Sequence, residues 1–278
     1  MTGSVSKAKE ALGHRLREIR RRAGITGRRL AQLEGWHESK VSKIEYGRIK
    51  ASDADIRAYC ERAGANSQLP DLLATVHNID AAYMEYRREL AAGITRGQTK
   101  LIKLAEKSSL MRIYQPVIIP GILQTAEYAE AVLRHSAEFY RLPDDVEQAV
   151  SERIERQGFL YRGDRRFHIL IAQQALSTTV STNDVMTGQL DRLLTVIGLS
   201  RVRFGIVPAE SEPPMQTTNF VIFDNRTVTV EAMTAELTIT QPREIAIYGR
   251  AFDILARQSV IGEPARALIR EAIASRQD

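Results

Sequence analysis

The sequence predicts an all-α N-terminal helix-turn-helix bundle, followed by an α/β C-terminal domain whose mixed sheet contains a βαβ unit. Residues 1–50 contain 13 Lys and Arg against 5 Asp and Glu, whereas the remaining 228 residues contain 26 against 29. The charge alone is equally consistent with a segment that binds a polyanion and with one that is simply exposed to solvent. The expected parts are a helix-turn-helix domain at 1–68, a helical linker or dimerisation arm at 69–112 and a regulatory domain at 113–278.

The N-terminal bundle is predicted from apolar spacing and from residues that begin or end helices. Leu12, Leu16, Ile19 and Ala23 fall on one helical stripe, and Gly24 is placed to end that helix. Residues able to cap or stop a helix then recur at short intervals. Further helices are expected from Thr26 to Gly35, from near His37 to Tyr46 and from Ser52 to Ala63.

The third predicted helix places polar side chains opposite its apolar anchors. On a wheel of about 100° per residue, Val41 and Ile44 point inward and Ser39 points almost directly away. Short hydroxyl side chains and a long cation suit a helix that lies in the major groove of DNA. The candidate base-reading residues are Glu38, Ser39, Lys40, Ser42 and Lys43. The candidate phosphate contacts are Thr26, Arg28, Arg29, Arg48 and Lys50.

A known pattern runs through these helices. Thr26-x-x-x-Leu30-Ala31, Gly35 and Val41-Ser42-Lys43-Ile44-Glu45-x-Gly47 together resemble the XRE (lambda-repressor-like) helix-turn-helix. The resemblance implies sequence-specific DNA binding, usually as a dimer, with the third helix reading bases and Glu45 in a structural role. Two positions depart from the family: Gly27 stands where Gln is frequent, and His37 stands where Ser or Thr usually caps the third helix. A helical bundle that does not bind DNA is the alternative.

The linker is predicted to be mainly helical. A helical pattern runs from Pro70 to about Leu90, glycines at 93 and 97 interrupt it, and another helix covers roughly 98–112. An apolar extended stretch follows and breaks at Pro120-Gly121. Because the linker has too little apolar content to fold alone, it is expected to be a hinge or a dimer-forming arm.

The C-terminal domain is predicted from buried strand patterns with helices between them. Segments 167–172 and 202–207 have the apolar character of buried strands, and the amphipathic segment 184–197 between them indicates a βαβ crossover with parallel strands. Segments 219–223 and 227–232 indicate a hairpin. Further helices are expected after Thr125 and at 144–161, 242–258 and 264–275.

The C-terminal domain also carries an ordered series of short motifs. These are Pro120-Gly121-Ile-Leu-Gln124-Thr125-x-x-Tyr128, Arg153-x-x-Arg156-Gln157, and Gln189-Leu190-x-x-Leu193 followed by a strand ending in Pro208. The series is similar to the domain of unknown function that follows the XRE module in WhiJ-like, antitoxin-like regulators of actinobacteria. This resemblance implies transcriptional control, with a small partner protein commonly encoded beside the regulator.

The same resemblance implies a regulatory pocket or partner site in the C-terminal domain. Its candidate residues are Gln124, Tyr128, Arg153, Arg156, Gln157 and Gln173. Gln173 departs from the family, which often has Glu there.

Catalytic, cofactor and metal motifs are not found in the sequence. The five histidines are scattered without metal-ligand spacing, and neither a phosphate-cradling Gly loop nor a Gly-x-Ser-x-Gly motif occurs. Cys60 is expected in the core, and His168 is expected to be structural. We therefore expect a protein that is not an enzyme and that has no catalytic residue, cofactor or metal.

The expected partners are double-stranded DNA and a second copy of the chain. For the C-terminal domain, a small protein encoded by a neighbouring gene is the preferred partner, and a small-molecule effector is the alternative. No apolar run approaches the roughly 20 residues that span a bilayer, and no secretory signal is seen, so a cytoplasmic protein without membrane contact is expected.

Overall fold

The computed structural model describes residues 2–79, 102–212, 218–233 and 235–276. The described chain forms two compact units, one helical and one α/β. The predicted fold class is thereby confirmed, including the mixed sheet with its βαβ unit.

The helical unit is built from short helices that begin at side-chain caps. Its described helices are α1 (Thr2–Arg22), α2 (Gly27–Glu34), α3 (Glu38–Glu45), α4 (Asp53–Arg62) and α5 (Leu69–Ile79). The Thr26 hydroxyl accepts the Arg29 N–H and caps α2. At the start of α4, Ser52 and Asp55 form a reciprocal capping box, with bonds of 3.2 and 3.0 Å. The predicted starts of α2, α3 and α4 are confirmed.

The core of the helical unit consists of the apolar stripes of its helices. Leu16, Leu30, Val41, Ile44 and Ile56 are almost completely buried, and Cys60 lies in the same core as predicted. Helix α5 adds Leu72 and Val76 to this core. The first turns of the predicted linker therefore pack on the bundle rather than standing apart from it.

The α/β unit is organised by a seven-stranded mixed sheet. The strands are β1 (Leu110–Gln115), β2 (Arg166–Ala172), β3 (Val202–Val207), β4 (Phe220–Phe223), β5 (Thr227–Ala232), β6 (Ala235–Ile239) and β7 (Val260–Ile261). Their order in the sheet is β6-β5-β4-β1-β2-β3-β7. Only the β1–β2 and β2–β3 pairs are parallel, whereas the other pairs are antiparallel.

Helices cover both faces of this sheet. They are α6 (Ala126–Tyr140), α7 (Val146–Arg156), α8 (Gln174–Ser177), α9 (Asn183–Val196), α10 (Pro242–Gln258) and α11 (Glu263–Ala274). Because side chains alternate along a strand, Met111 and Ile113 of β1 enter the core shared with α6, α9 and α11. Tyr114 enters a second core, shared with Phe252 of α10. The sheet therefore lies between two apolar layers.

Two supersecondary predictions for this unit are confirmed. Strands β2 and β3 are parallel and are joined through α8 and α9, which is the expected crossover. Strands β4 and β5 form the expected hairpin, and its turn residues Asp224 and Asn225 have φ angles of 48° and 55°. Asp and Asn tolerate this left-handed conformation better than other non-glycine residues, which explains their position in the turn.

The predicted helix at 98–112 is wrong over its second part. Residues 102–106 are helical, but β1 begins at Leu110 and pairs with β2 on one side and β4 on the other. A short apolar segment fits either structure, and the strand forms here because both of its edges find partners in the sheet. Residues 80–101, which hold the rest of the predicted linker helices and glycines 93 and 97, lie outside the described residues.

We expect His168 to make the stability of the α/β unit depend on pH. Its ring lies edge-on to Phe252 with centroids 4.9 Å apart, and burial together with the charges of Arg203 and Arg112 lowers its pKa to about 4, against a weaker opposing effect of Asp253. The unfolded chain binds this proton near pH 6.5. Stability should therefore be fully present above about pH 6.5 and should fall as the pH drops toward 4, because only the unfolded state is protonated in that window.

The measurement is thermal unfolding at pH 7 and pH 5. His168→Leu should lose less melting temperature between these pH values than the unchanged protein does, whereas a substitution of the exposed His135 to Gln should not alter the difference. An equal loss in His168→Leu and in the unchanged protein would contradict the assignment.

Candidate functional site

A short turn from Gly35 to His37 joins α2 to α3. Gly35 ends α2 with a φ of 66°, in the left-handed region that glycine adopts without steric cost. Trp36 N–H then bonds back to the Ala31 carbonyl at 2.8 Å. His37 starts α3 because its Nδ1 accepts the Ser39 N–H at 3.2 Å. Histidine therefore does supply a side-chain cap where Ser or Thr was the expected residue.

A buried ion pair fixes the inner side of α3. Arg20 donates from Nε and Nη2 to the two carboxylate oxygens of Glu45, at 2.6 and 2.8 Å. The third nitrogen of Arg20, Nη1, donates to the Ile25 carbonyl at 2.6 Å, and the Tyr59 hydroxyl donates to Glu45 at 3.2 Å. These bonds join α1, the segment before α2, the end of α3, and α4. The structural role expected for Glu45 is what this geometry provides.

The titration of the partners of Glu45 reflects this network. The hydrogen bond from Arg20 to Glu45 raises the pKa of the guanidinium, and burial raises the pKa of the Tyr59 hydroxyl. Since Arg20 and Glu45 are only 8 % and 4 % exposed, neither charge has much access to water. Each of these two buried charges is therefore stable only because the opposite charge lies next to it.

Helix α1 passes close to the end of α3 beside this ion pair, and the sequence reasoning did not predict this contact. A Cβ atom at Gly13 of α1 would lie 2.5 Å from the Ile44 carbonyl oxygen and 2.6 Å from that of Glu45. A side chain cannot be accommodated against backbone at that distance, so glycine is required for α1 to reach the end of α3. The sequence signal was present as a glycine inside a strong helical pattern.

Four of the five candidate base-reading residues of α3, Glu38, Ser39, Ser42 and Lys43, are exposed, but they differ in their contacts. Ser42 and Lys43 are exposed, and within the described part of the chain neither side chain forms a hydrogen bond or ion pair. The Ser39 hydroxyl lies 2.8 Å from Nδ1 of His37. Glu38 forms an exposed ion pair with Arg28 at 3.0 Å. These observations leave Ser42 and Lys43 most available to a ligand of the helix-turn-helix.

Lys40 is turned toward the protein. Its Nζ lies 2.6 Å from Asp55 of α4 and 4.2 Å from the centre of the Trp36 ring. Burial acts to raise the pKa of Asp55, but the bonds from Lys40 and Ser52 outweigh it and lower the pKa. Lys40 therefore has a structural contact on the side of α3 that joins α4.

The candidate phosphate contacts surround α3 in the chain and are mostly exposed. Thr26 caps α2 through its hydroxyl, and Arg28 is paired with Glu38. Arg29 and Arg48 are exposed on either side of α3 in sequence, and Lys50 is exposed as well. Exposed cations therefore precede and follow α3 in the chain, and such side chains can contact phosphate groups.

The α/β unit contains a cavity of about 260 Å³. One wall is formed by strands β1, β4, β5 and β6, and the other by α6, α7 and the segment 118–124. Much of the lining is apolar, from residues that include Met111, Ile113, Ile119, Val132 and Phe223. The volume is far above the roughly 10–15 Å³ that one water molecule needs. A small organic molecule can therefore be accommodated.

Most of the predicted regulatory residues gather at one end of this cavity. Arg153 donates to the Gln124 side-chain oxygen at 2.6 Å, and Gln124 donates in turn to the Ile119 carbonyl at 2.7 Å. Gln157 donates to the Gln124 carbonyl at 2.6 Å. The Tyr128 hydroxyl accepts the Ile119 N–H at 3.3 Å. Gln124 and Arg153 line the cavity, whereas Tyr128 and Gln157 hold its wall in place.

Arg156 has a different environment from Arg153. It lines the cavity and is 8 % exposed, and its Nη1 is buried without a hydrogen-bond partner among the described residues. Burial, and then the neighbouring charge of Arg153, lower its pKa to about 9. The guanidinium therefore remains charged at neutral pH, in a place where an unpaired charge is unfavourable.

Gln173 is not part of this group. Its side-chain oxygen accepts the Ala209 N–H at 3.0 Å, close to where β2 and β3 end, and it does not line the cavity. Conversely, the cavity is lined by polar residues that the sequence reasoning missed, namely Gln115, Ser136, Asn219, Thr229, Glu231 and Glu236. The alternation of Val228, Thr229, Val230 and Glu231 along β5 was the available signal, since it puts the polar pair on one face.

A metal centre and a membrane span have no counterpart among the described residues. Among the described residues, no three His, Cys, Asp or Glu side chains are grouped so that they could hold a metal ion. In the same part of the chain, no helix has the length and apolar character needed to cross a membrane.

Two sequence families match the chain. The family described as "Domain of unknown function (DUF5753)" matches residues 98–271, and the one described as "Helix-turn-helix domain" matches residues 11–74. The first match covers more than half of the 278 residues. No curated protein and no solved structure matches the chain.

Removing the carboxylate of Glu45 should strongly destabilise the helical unit. Glu45→Ala leaves the buried Arg20 charge without its partner, so we expect a loss of about 3–5 kcal/mol in the free energy of unfolding. Glu38→Ala removes an exposed carboxylate from the same helix and should change it by less than about 1 kcal/mol. Urea unfolding followed by circular dichroism measures both. Equal small effects of the two substitutions would show that the buried pair does not hold α3.

Proposed function

Since the chain belongs to the family that carries the domain of unknown function DUF5753, and a helix-turn-helix domain precedes that domain, we propose that it is a sequence-specific, DNA-binding transcriptional regulator. The helix-turn-helix domain points to a DNA-binding regulator rather than to an enzyme. The observation that carries the proposal is the exposure of Ser42 and Lys43 on α3, with the exposed Arg29 and Arg48 close before and after that helix in the chain.

Helix α3 is proposed to read bases in the major groove. An α-helix is about 10–12 Å across with its side chains, which fits the major groove, about 12 Å wide. Lys43 can reach a guanine edge, and the short Ser42 side chain lets the helix backbone approach the bases. Ser39 and Glu38 are assigned supporting roles at the start of α3, and Lys40 is assigned to holding α4.

The protein is proposed to act as a homodimer in the cytoplasm. One short helix contacts few base pairs and therefore gives little specificity. Two copies bound to half-sites one helical turn apart, about 34 Å, would double the number of contacted bases. Such an operator would have approximate two-fold symmetry.

The C-terminal domain is proposed to bind a small partner protein, encoded by a neighbouring gene, that changes DNA binding. An exposed apolar pair supports a protein contact there: Phe139 of α6 is 70 % exposed and Met233 is 74 % exposed. The two lie near each other because the Tyr140 hydroxyl donates to the Met233 carbonyl at 2.8 Å. The second candidate is a small-molecule effector, which the cavity beside Arg153 and Arg156 favours.

If Lys43 contacts a base, Lys43→Ala should distinguish less well between the promoter sequence and random DNA. We expect the difference in binding free energy between the protein's own promoter region and random DNA to shrink by about 1–3 kcal/mol, because one base contact is lost. Gel shift with both DNAs at two salt concentrations measures this difference. Lys103→Ala removes an exposed lysine of the α/β unit and serves as the control. An unchanged ratio of the two affinities in Lys43→Ala would overturn the assignment of this residue.

Phosphate contact predicts a different result for Arg29→Ala. Affinity should fall for all DNA sequences alike, and the slope of log affinity against log salt should become shallower by about 0.9, because one fewer counterion is released. The same titration on Arg250→Ala, which removes an exposed arginine of α10, should leave the slope unchanged. A selective loss of binding to the promoter sequence would instead assign Arg29 to base reading.

Partner binding can be tested by co-purification with the small protein encoded beside the gene. Phe139→Glu should abolish co-purification, because a charge would be placed in an apolar contact. Val117→Glu changes another exposed apolar residue, 51 % exposed, and should have no effect. If Phe139→Glu still co-purifies with the small protein, the surface around Phe139 is not the partner site. If the unchanged protein does not co-purify with it, the small-molecule effector is favoured.

A further inference from the structure

The cavity of the α/β unit pairs an apolar wall with a buried positive charge. Met111 and Ile113 of β1, together with Val221 and Phe223 of β4, line it from the sheet. Helix α7 contributes Arg153 and Arg156 to the lining. A cavity with these two chemical surfaces selects a molecule that has both an apolar body and a negative group.

Hydrogen bonds hold Arg153 in place before any ligand arrives. Arg153 is bonded to Gln124, and that glutamine is tied by its own amide to Ile119 and by its carbonyl to Gln157. Gly121 lies directly against the pair, since a Cβ there would be 3.1 Å from Nη2 of Arg156 and 3.4 Å from Nε of Arg153. Glycine at this position therefore leaves the guanidinium groups the space that they occupy.

Arg156 is the residue whose bonding is incomplete. Its Nη1 has no hydrogen-bond partner among the described residues, and the positive charge of Arg153 adds to the effect of burial in lowering its pKa. Two buried guanidinium groups beside each other repel, and an anion between or beside them would relieve that repulsion. Guanidinium groups bind carboxylate and phosphate oxygens in a planar, bidentate manner.

The acidic residues of the cavity limit where the negative group can lie. Glu231 of β5 and Glu236 of β6 are cross-strand partners and line the cavity from the sheet. An anionic group is favoured next to the arginines on α7 and disfavoured next to these carboxylates. The ligand should therefore carry its negative charge at one end only.

We propose that this cavity binds an amphiphilic organic anion, in which a single carboxylate or phosphate group contacts Arg156 and an apolar body packs against β1 and β4. This proposal rests on the small-molecule alternative of the proposed function, and it names the chemical class of that effector. Binding itself does not require that the protein bind DNA.

The test uses the full chain and three probes with the same eight-carbon body. Octanoate and octyl phosphate carry the two head groups, and 1-octanol carries none. We expect at least one of the two anions to raise the melting temperature by several degrees when its concentration exceeds Kd about 100-fold. We expect 1-octanol to bind at least ten-fold more weakly by calorimetry. The comparison of the two anions decides which head group the site prefers.

Substitutions of Arg156 and Gly121 then locate the site. Arg156→Met should weaken anion binding at least ten-fold, while its melting temperature without ligand should be equal to or above that of the unchanged protein, because an uncompensated buried charge has been removed. A purely structural arginine would give the opposite change in melting temperature. Gly121→Ala should weaken anion binding by crowding the guanidinium groups, whereas Gly188→Ala, where a Cβ meets nothing within 4 Å, should not.

Several outcomes would overturn the proposal. They are an affinity for 1-octanol equal to that for the anions, full anion affinity in Arg156→Met, and absence of binding of both anions to the unchanged protein. Arg257→Gln, an exposed arginine of α10, controls for general loss of positive charge. Gel shift on the same variants separates this result from the proposed function: DNA binding without anion binding refutes the cavity alone, and anion binding without DNA binding refutes the DNA-binding role alone.

Discussion

The bidentate ion pair between Arg20 and Glu45 is the interaction on which the orientation of α3 depends. It lies where α1 crosses the end of α3, and Gly13 permits the two backbones to approach there. The remaining donor of Arg20 bonds to the segment before α2, and Tyr59 of α4 completes the carboxylate's bonds. Because two buried charges are stable only when paired, α3 cannot shift on the bundle without exposing one of them. The outer face, with Ser42 and Lys43, is thereby held rigidly toward solvent.

A comparable constraint in the α/β unit comes from the position of β1 in the sheet. This strand pairs in parallel with β2 and antiparallel with β4, so it joins the βαβ part to the hairpin part. Its alternating side chains divide between the two apolar cores, and Met111 and Ile113 reach the cavity. The segment that follows β1 turns back over this face and brings Gln124 to Arg153. The buried arginines therefore lie beside apolar strands, which gives the cavity its two kinds of surface.

Local patterns predicted much of this architecture. The caps at Thr26 and Ser52, the glycine stop at Gly35 and the Asp224–Asn225 turn were recognised because each depends on residues within a few positions of one another. The first half of the strand at Leu110–Gln115 was assigned to a helix, because the identity of this strand depends on partners more than fifty residues away. Among the candidate site residues, Lys40 has a contact with Asp55, and Gln173 lies away from the cavity, and neither arrangement follows from spacing along the chain.

The sequence by itself determined the order of the helices and most strands and the basic character of the first fifty residues. Short-range periodicity and capping encode these features, because they concern residues that are neighbours in the chain. The tertiary structure alone decided which side chains are free and which are paired. It placed Arg20 against Glu45, left Arg156 without a partner among the described residues and opened a cavity next to it. These outcomes depend on burial and on contacts between segments that are distant in the chain. Burial and contacts together set the free-energy cost of placing each charged side chain inside the protein.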